Sequence, residues 1–209
     1  MGKYIGPKCR LCRREGMKLF LKGIRCNTEK CPFVKRPRPP GMHIYQTGKH
    51  SYYALQLREK QRTKRIYGML EAQFKRFFHL ATKAKGVTGR ALIQFLERRL
   101  DNVIYRAMFA FTRAQARQFI KHGFVFVNNR RVDIPSFLVK ASDIIEIRVK
   151  DNFKKMISEI NETDSKFRSV PDWLQIDKEK LTIKVSRLPT KEDLTIPINE
   201  QLIVELYSK

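Results

Sequence analysis

The stretch TRAQARQFIKHGFVFVNNRRVDIPSFLVKASDIIEIRV (Thr112–Val149) decides the fold. Thr112 and Gln115 have the spacing of a capping box, in which a hydroxyl and an amide each satisfy an orphan amide at a helix start. A short helix is predicted from Arg113 to about His122, with Gly123 as the left-handed residue that ends it. Phe124–Val127 then alternates as a strand. Asn128-Asn129 tolerates the positive φ of a tight turn, and Arg130–Val132 brings the chain back. Pro135 and Ser136 open a loop, and Ile144–Val149 reads as another strand. Helix, hairpin and strand together predict a small α+β unit.

Upstream the text is helical. From Ser51, apolar residues recur at helical spacing through Ile66, Met69, Leu70, Phe74, Phe77, Phe78 and Ala81. Thr88 opens a further helix through Leu92, Phe95, Leu96 and Leu100. Downstream, a helix is predicted through Phe153, Met156, Ile157 and Ile160. Trp173-Leu174 lies near a strand at Leu181–Val185. A last amphipathic helix carries Ile198, Leu202, Ile203, Leu206 and Tyr207, and is predicted to dock on the helical part. Three regions follow: a loop-rich segment 1–50, a helical domain 51–97 with helix 196–209 packed on it, and the small α+β unit, 98–195, with a mixed sheet extension. The expected class is α+β.

The chain has 209 residues, of which 44 are Lys or Arg and 20 are Asp or Glu, for a formal charge of +24. Its apolar share of 42% is enough for a core, which excludes a wholly disordered basic tail. No uncharged apolar run approaches the ~20 residues of a membrane span, and the N-terminus lacks a secretory h-region. A soluble, cytoplasmic protein without a membrane partner is expected. The charge is uneven: residues 1–90 carry 23 basic and 4 acidic side chains, residues 151–209 carry 10 and 11. A field that positive calls for a polyanion, and nucleic acid is the polyanion at hand. The near-neutral last part is expected to face something other than phosphate.

Cys9, Cys12, Cys26 and Cys31 give C-x2-C-x13-C-x4-C. Two close pairs separated by a loop can place four sulfurs on a tetrahedron, which suits one structural Zn²⁺. An iron–sulfur cluster or four free thiols are the alternatives. Four-sulfur coordination leaves no open position for catalysis. His43, His50, His79 and His122 have no ligand spacing with these cysteines and read as surface or capping residues.

The candidate phosphate contacts are the cations of four stretches. Around the cysteines they are Arg10, Arg13, Arg14, Lys18, Lys22 and Arg25, then Lys35, Arg36 and Arg38 in the proline-broken run KRPRPPGMH. On the first long helix Arg58, Arg62 and Arg65 share one face, with Lys64 beside them. Lys75, Arg76, Lys83 and Lys85 follow. In the α+β unit Arg113, Arg117 and Lys121 form a stripe about 80° wide, with Ala116, Phe119 and Ile120 a quarter-turn away. The turn residues Asn128, Arg130 and Arg131 complete a two-part basic surface.

The run RRLDNVIYRAMFAFTRAQARQFIKHGFVFVNNRRVDIPSFLVKASDIIEI (Arg98–Ile147) resembles the RNA-binding domain named after ribosomal protein S-four. QLREKQRTKRIYGMLEAQFKRFF (Gln56–Phe78), VPDWLQIDKEKL (Val170–Leu181) and INEQLIVELYSK (Ile198–Lys209) extend the resemblance to the bacterial small-subunit protein family of that name. The cysteine spacing is similar to the zinc-binding version. The resemblance implies a primary binder of the 5′ domain of 16S ribosomal RNA, early in 30S assembly, on the ribosome of a bacterium or organelle. It further implies contact with the neighbouring small-subunit protein S-five and other 30S neighbours, a link to decoding accuracy, and in some members repression of their own messenger RNA. A contact with messenger RNA where it enters the subunit leans on cations after PPG. This chain departs there, reading MHIYQTGKHSYYALQL (Met42–Leu57) with Lys49 as its one cation. No homo-oligomer is expected.

An enzyme carrying this domain as an accessory would need a catalytic domain elsewhere in the chain. There is no glycine-rich phosphate loop, no Ser/His/Asp order and no pair of carboxylates in an apolar setting. A DNA-binding regulator would gather its cations for one groove, whereas these are spread over several segments. The expected function is therefore structural and RNA-binding, without catalysis.

Overall fold

The computed structural model describes residues 2–42 and 51–208, the side chain of Asn152 excepted. The chain divides into two compact units: Met1–Ile93 with Thr195–Lys209, and Gln94–Leu194. The run His43–His50, which holds Lys49 and half of the segment that departs from the family, lies outside the described residues.

In the first unit, α1 (Lys8–Glu15), a 3-10 turn (Gly23–Cys26) and α2 (Pro32–Lys35) carry the cysteines, and α3 (Tyr52–Ile66) and α4 (Glu71–Lys83) follow. Ser51 caps α3, its hydroxyl accepting from the Ala54 amide at 3.2 Å. The apolar stripe expected to run unbroken from Ile66 into Ala81 is divided in two. Gly68 takes φ 60° after Tyr67, and α4 restarts beyond Leu70. Ile66, Met69, Phe74, Phe77, Phe78 and Ala81 are buried on both sides of the bend, while Leu70, at the bend itself, is exposed.

Then come α5 (Thr88–Glu97), α6 (Leu100–Arg106) and α7 (Arg113–Lys121). Thr112 caps α7 by accepting from the Gln115 amide at 3.2 Å. The Gln115 side chain reaches one residue further back than a capping box requires, accepting from Phe111 N at 2.9 Å. Gly123 ends the helix at φ 76°. A side chain there would meet the Arg131 guanidinium, which lies against the glycine.

The strands are β1 (Val125–Val127), β2 (Arg130–Arg131) and β3 (Ile144–Ile147). Asn128 and Asn129 turn β1 into β2 at φ 49° and 65°. Next are α8 (Asp151–Asp164), β4 (Leu174–Asp177), β5 (Thr182–Val185), a second 3-10 turn (Lys191–Asp193) and α9 (Glu200–Tyr207). The sheet order is β2-β1-β3-β5-β4 and every pairing is antiparallel. The mixed sheet expected beyond the hairpin is therefore corrected: the chain leaves β3 through α8, enters β4 at the sheet edge, and β5 then fills the place between them antiparallel to both. The core of this unit gathers Leu100, Ile104, Phe109, Ile120, Val125, Ile145, Trp173 and Ile183.

α9 packs along α3 in the first unit. The Asn199 amide donates to Glu59 Oε1 at 2.9 Å, and Arg62 Nη2 donates to the Pro197 carbonyl at 2.7 Å. Tyr52 donates to Glu205, Tyr207 stacks on Phe78 at 4.4 Å, and its hydroxyl donates to Glu71 at 2.9 Å. No described helix is long and apolar enough to cross a membrane.

Candidate nucleic-acid interface

The predicted cations fall into two physical classes. Those of α3 are turned inward. Glu15, at the end of α1, is almost wholly buried and accepts from both Arg58 and Arg65. Burial pushes its carboxyl up from the ordinary range, against the pull of those two guanidiniums. Arg62 pairs with Glu59 at 3.1 Å, and Lys64 with Glu71 at 2.7 Å. The shared face of Arg58, Arg62 and Arg65 is real, and it is a binding face for α1 and the C-terminal segment of the same chain.

Arg113 and Arg117 are a second correction. Both are buried, so the open stripe along α7 shrinks to Lys121. Arg117 Nε donates to Asp101 Oδ2 at 2.6 Å, and Arg99 donates to the same carboxylate through Nε at 3.0 Å and Nη2 at 2.8 Å. Arg113 Nε donates to Asn102 Oδ1 at 2.8 Å, and its guanidinium lies 4.3 Å from the Tyr105 ring centroid. Asn102 in turn donates to Glu97 Oε2, which also receives Arg106 at 3.1 Å. Burial alone would raise Asp101, but the Arg99 and Arg117 charges outweigh it and hold the carboxyl below its ordinary value. These ion pairs join α5, α6 and α7 into one block behind the hairpin.

The second class is exposed and has no acidic partner among the described residues. It comprises Arg10, Arg14, Lys22, Lys35 and Arg36 around the cysteines, and Lys75, Arg76, Lys83 and Lys85 on and after α4. Lys121, Arg130 and Arg131 complete it at the hairpin corner. Arg25 and Arg38 are also exposed, and Arg13 and Lys18 half-buried. Asn128 has a different job from the one expected. Its side chain donates to Asp143 at 2.9 Å and accepts from Ile144 N at 3.0 Å, closing the turn onto β3.

Cys12, Cys26 and Cys31 are buried and Cys9 is half-buried. Burial pushes the Cys12 and Cys26 thiols up, and each also feels the charge of other cysteines of the set. The Lys22 amide donates to Cys26 Sγ at 3.4 Å. Among the described residues no three His, Cys, Asp or Glu side chains converge as a formed metal site. The Cys12 thiol likewise accepts from the Leu19 backbone, so two of the four thiols hold an amide hydrogen bond.

Two family models cover the chain from residue 3 to 145. "Ribosomal protein S4/S9 N-terminal domain" matches residues 3–97 and "S4 domain" matches 98–145. The "Small ribosomal subunit protein uS4" of Caldicellulosiruptor saccharolyticus is 57% identical over 209 residues, covering all of both chains. That of Dictyoglomus turgidum is 54% identical over 211 residues and that of Thermodesulfovibrio yellowstonii 54% over 209, again end to end. The chain belongs to the uS4 family. The S4-domain match coincides with the buried Asp101 block and the hairpin, so the block is the scaffold of that domain.

Sequence reasoning missed one member of the hairpin corner of this uS4 chain. Arg148 lies 4.3 Å from the Phe126 ring centroid, donates to Asn129 Oδ1 at 2.6 Å and pairs with Glu146 at 2.7 Å, so it braces the hairpin corner with its charge already met. Its signal was the two-residue alternation beyond Glu146. His79 shares the outer face of α4 with Lys75, Arg76 and Lys83. Lys30, one of the cations that surround the cysteines, stands beside Arg25.

Proposed function

We propose that this chain is a primary binder of 16S ribosomal RNA, gripping the 5′ domain through its exposed cations and so helping to start 30S assembly. Membership of the uS4 family makes it a structural constituent of the small ribosomal subunit that binds ribosomal RNA; the family is not an enzyme class. The observation that carries the finer reading is the division of the cations. Acids of the same chain neutralise the predicted cations of α3 and Arg117 of α7, whereas three separate exposed groups make no ion pair among the described residues. Separate patches of phosphate-seeking charge suit the irregular surface of folded RNA.

One Zn²⁺ held by Cys9, Cys12, Cys26 and Cys31 is part of the same reading, with an iron–sulfur cluster as its alternative. The ion supplies folding free energy, fixing the loop so that Arg10, Arg14, Lys22 and Arg36 are presented to RNA. Contact with small-subunit protein S-five belongs to the near-neutral part beyond residue 150. A link to decoding accuracy and repression of its own messenger RNA belong to the same family reading. The role near incoming messenger RNA is the weakest in charge, since Met42–Leu57 offers Lys49 alone.

Crosslinking the chain to RNA in its own cells, then sequencing what is attached, tests the reading. Reads concentrated in the 5′ domain of 16S ribosomal RNA are expected. Reads dominated by transfer RNA or by other messenger RNAs would overturn it.

A further inference from the structure

The cysteine segment contains a cavity of about 550 Å³ lined by Arg13, Arg25, Lys30, Pro32, Lys35 and Arg36. Five of the six lining residues are cations and none is acidic. That volume is within the range of small-ligand sites, roughly 300–1,000 Å³. It is a concave site whose charges are all of one sign.

Two of its guanidiniums are already aimed. Arg13 Nε donates to the Arg38 carbonyl at 2.8 Å, and its Nη2 reaches the Pro39 carbonyl at 3.4 Å. Arg25 Nε donates to the Lys30 carbonyl at 3.4 Å, while Thr28 Oγ1 donates to the Arg25 carbonyl at 3.2 Å and braces the same turn. Backbone carbonyls thus fix the planes of both forks through their Nε edges, which lowers the ordering cost of binding an anion. The strap that supplies two of these carbonyls is the proline-broken run KRPRPP, which gives that run a positioning role.

We propose that this cavity is a seat for two consecutive phosphate groups. Resting on the reading of the chain as an RNA binder, it names the cavity as one discrete contact in that interface. Five like charges around one space repel, and a single diester oxyanion would neutralise little of that field. Two adjacent phosphates bring the charge, and planar guanidiniums match their paired oxygens better than lysines alone do. The two phosphates can come from an RNA backbone or from a free polyphosphate, so the experiment has two arms.

The full-length chain is titrated with inorganic pyrophosphate by calorimetry, and separately with a 5′-domain fragment of 16S ribosomal RNA in a filter assay. The variant is K30Q/R36Q, with K155Q/K178Q removing the same charge on exposed residues outside the interface; circular dichroism confirms that both fold. Pyrophosphate is expected to bind saturably at one site, and K30Q/R36Q to weaken it at least about tenfold while K155Q/K178Q does not, since a charge-assisted hydrogen bond is worth on the order of a tenfold change. A parallel loss on the RNA fragment assigns the seat to the RNA backbone. A loss on pyrophosphate alone assigns it to a free polyphosphate. Unsaturable binding, or equal weakening in the two variants, overturns the seat. An RNA fragment that the unaltered chain fails to bind would overturn the RNA reading instead, and the pyrophosphate arm would still decide the cavity.

Discussion

Arg117 Nε lies 2.6 Å from Asp101 Oδ2, and Asp101 is nearly inaccessible to solvent. A cation with the helical spacing of a phosphate contact is therefore committed to a carboxylate 16 residues earlier in its own chain. The pair decides what substitutions in this region do. Asp101→Asn leaves Arg99 and Arg117 buried without their counter-charge, and is expected to destabilise the Gln94–Leu194 unit by about 3–5 kcal/mol. Urea unfolding followed by the fluorescence of Trp173, the chain's one tryptophan, measures it. A change below about 1 kcal/mol would mean that the block is not what holds α6 to α7.

Arg117→Ala separates a structural from an RNA-contacting role. A phosphate contact loses its value at high salt, whereas a buried pair is little screened. The loss of RNA affinity on Arg117→Ala is accordingly expected to be the same from low to high salt and to track the loss of stability. A loss that shrinks with salt would return Arg117 to the interface.

The exposed cations should behave oppositely. Each phosphate contact removed lowers the slope of log affinity against log salt by roughly 1. Lys75→Gln with Arg76→Gln is expected to lower it by about 2 without changing stability. Arg58→Gln, whose guanidinium faces Glu15, is expected to leave the slope unchanged and to expose α1 to proteolysis. Filter binding across a salt series compares them.

The parts of this design legible in the sequence are those written in local chemistry. The Thr112 cap, Gly123 and the Asn128-Asn129 turn each depend on one or two residues and their own backbone, so the helix and hairpin could be read directly. The direction of Arg113 and Arg117 could not. Helical arithmetic places them a quarter-turn from Phe119 and Ile120, but both sectors of α7 are buried, one in apolar core and one against Asp101 and Asn102. The usable signal was that Glu97 and Asp101 fall among the core-type residues Leu92, Leu96, Leu100 and Val103, where a carboxylate needs a cation. The break between α3 and α4 was hidden because Gly68 falls in a turn that keeps apolar residues in phase on either side. β4 was missed because it is an edge strand of four residues, with only Leu174 fully buried.

The cysteines give a prediction of their own. If one ion orders the segment, Cys9→Ser with Cys12→Ser should release about one equivalent of metal on analysis of the purified chain. Protease sensitivity before Ile66 should rise and RNA binding should weaken. Unchanged proteolysis and affinity would remove the metal from the account.

Acid gives the last. Partial burial pushes the Glu71 carboxyl up, but hydrogen bonds from Lys60, Lys64 and Tyr207 outweigh it and bring it from 4.5 down to about 2. A carboxyl held low in the folded state contributes stability that is complete above its unfolded value and lost as pH falls through the folded one. The loss therefore falls between about pH 4.5 and 2. Glu71 is partly exposed, so solvent screening limits it to about 1 kcal/mol or less. Because the carboxylate joins α3, α4 and the end of α9, the local result is larger than the global one. Amide exchange in Val204–Tyr207 is expected to quicken across that pH range while the Gln94–Leu194 unit, whose Asp101 is also held low, follows its own acid transition. Glu71→Gln should give the faster exchange of α9 already at neutral pH and remove its change between pH 4.5 and 2. If exchange in the variant still rises steeply over that interval, a carboxylate other than Glu71 controls the end of α9.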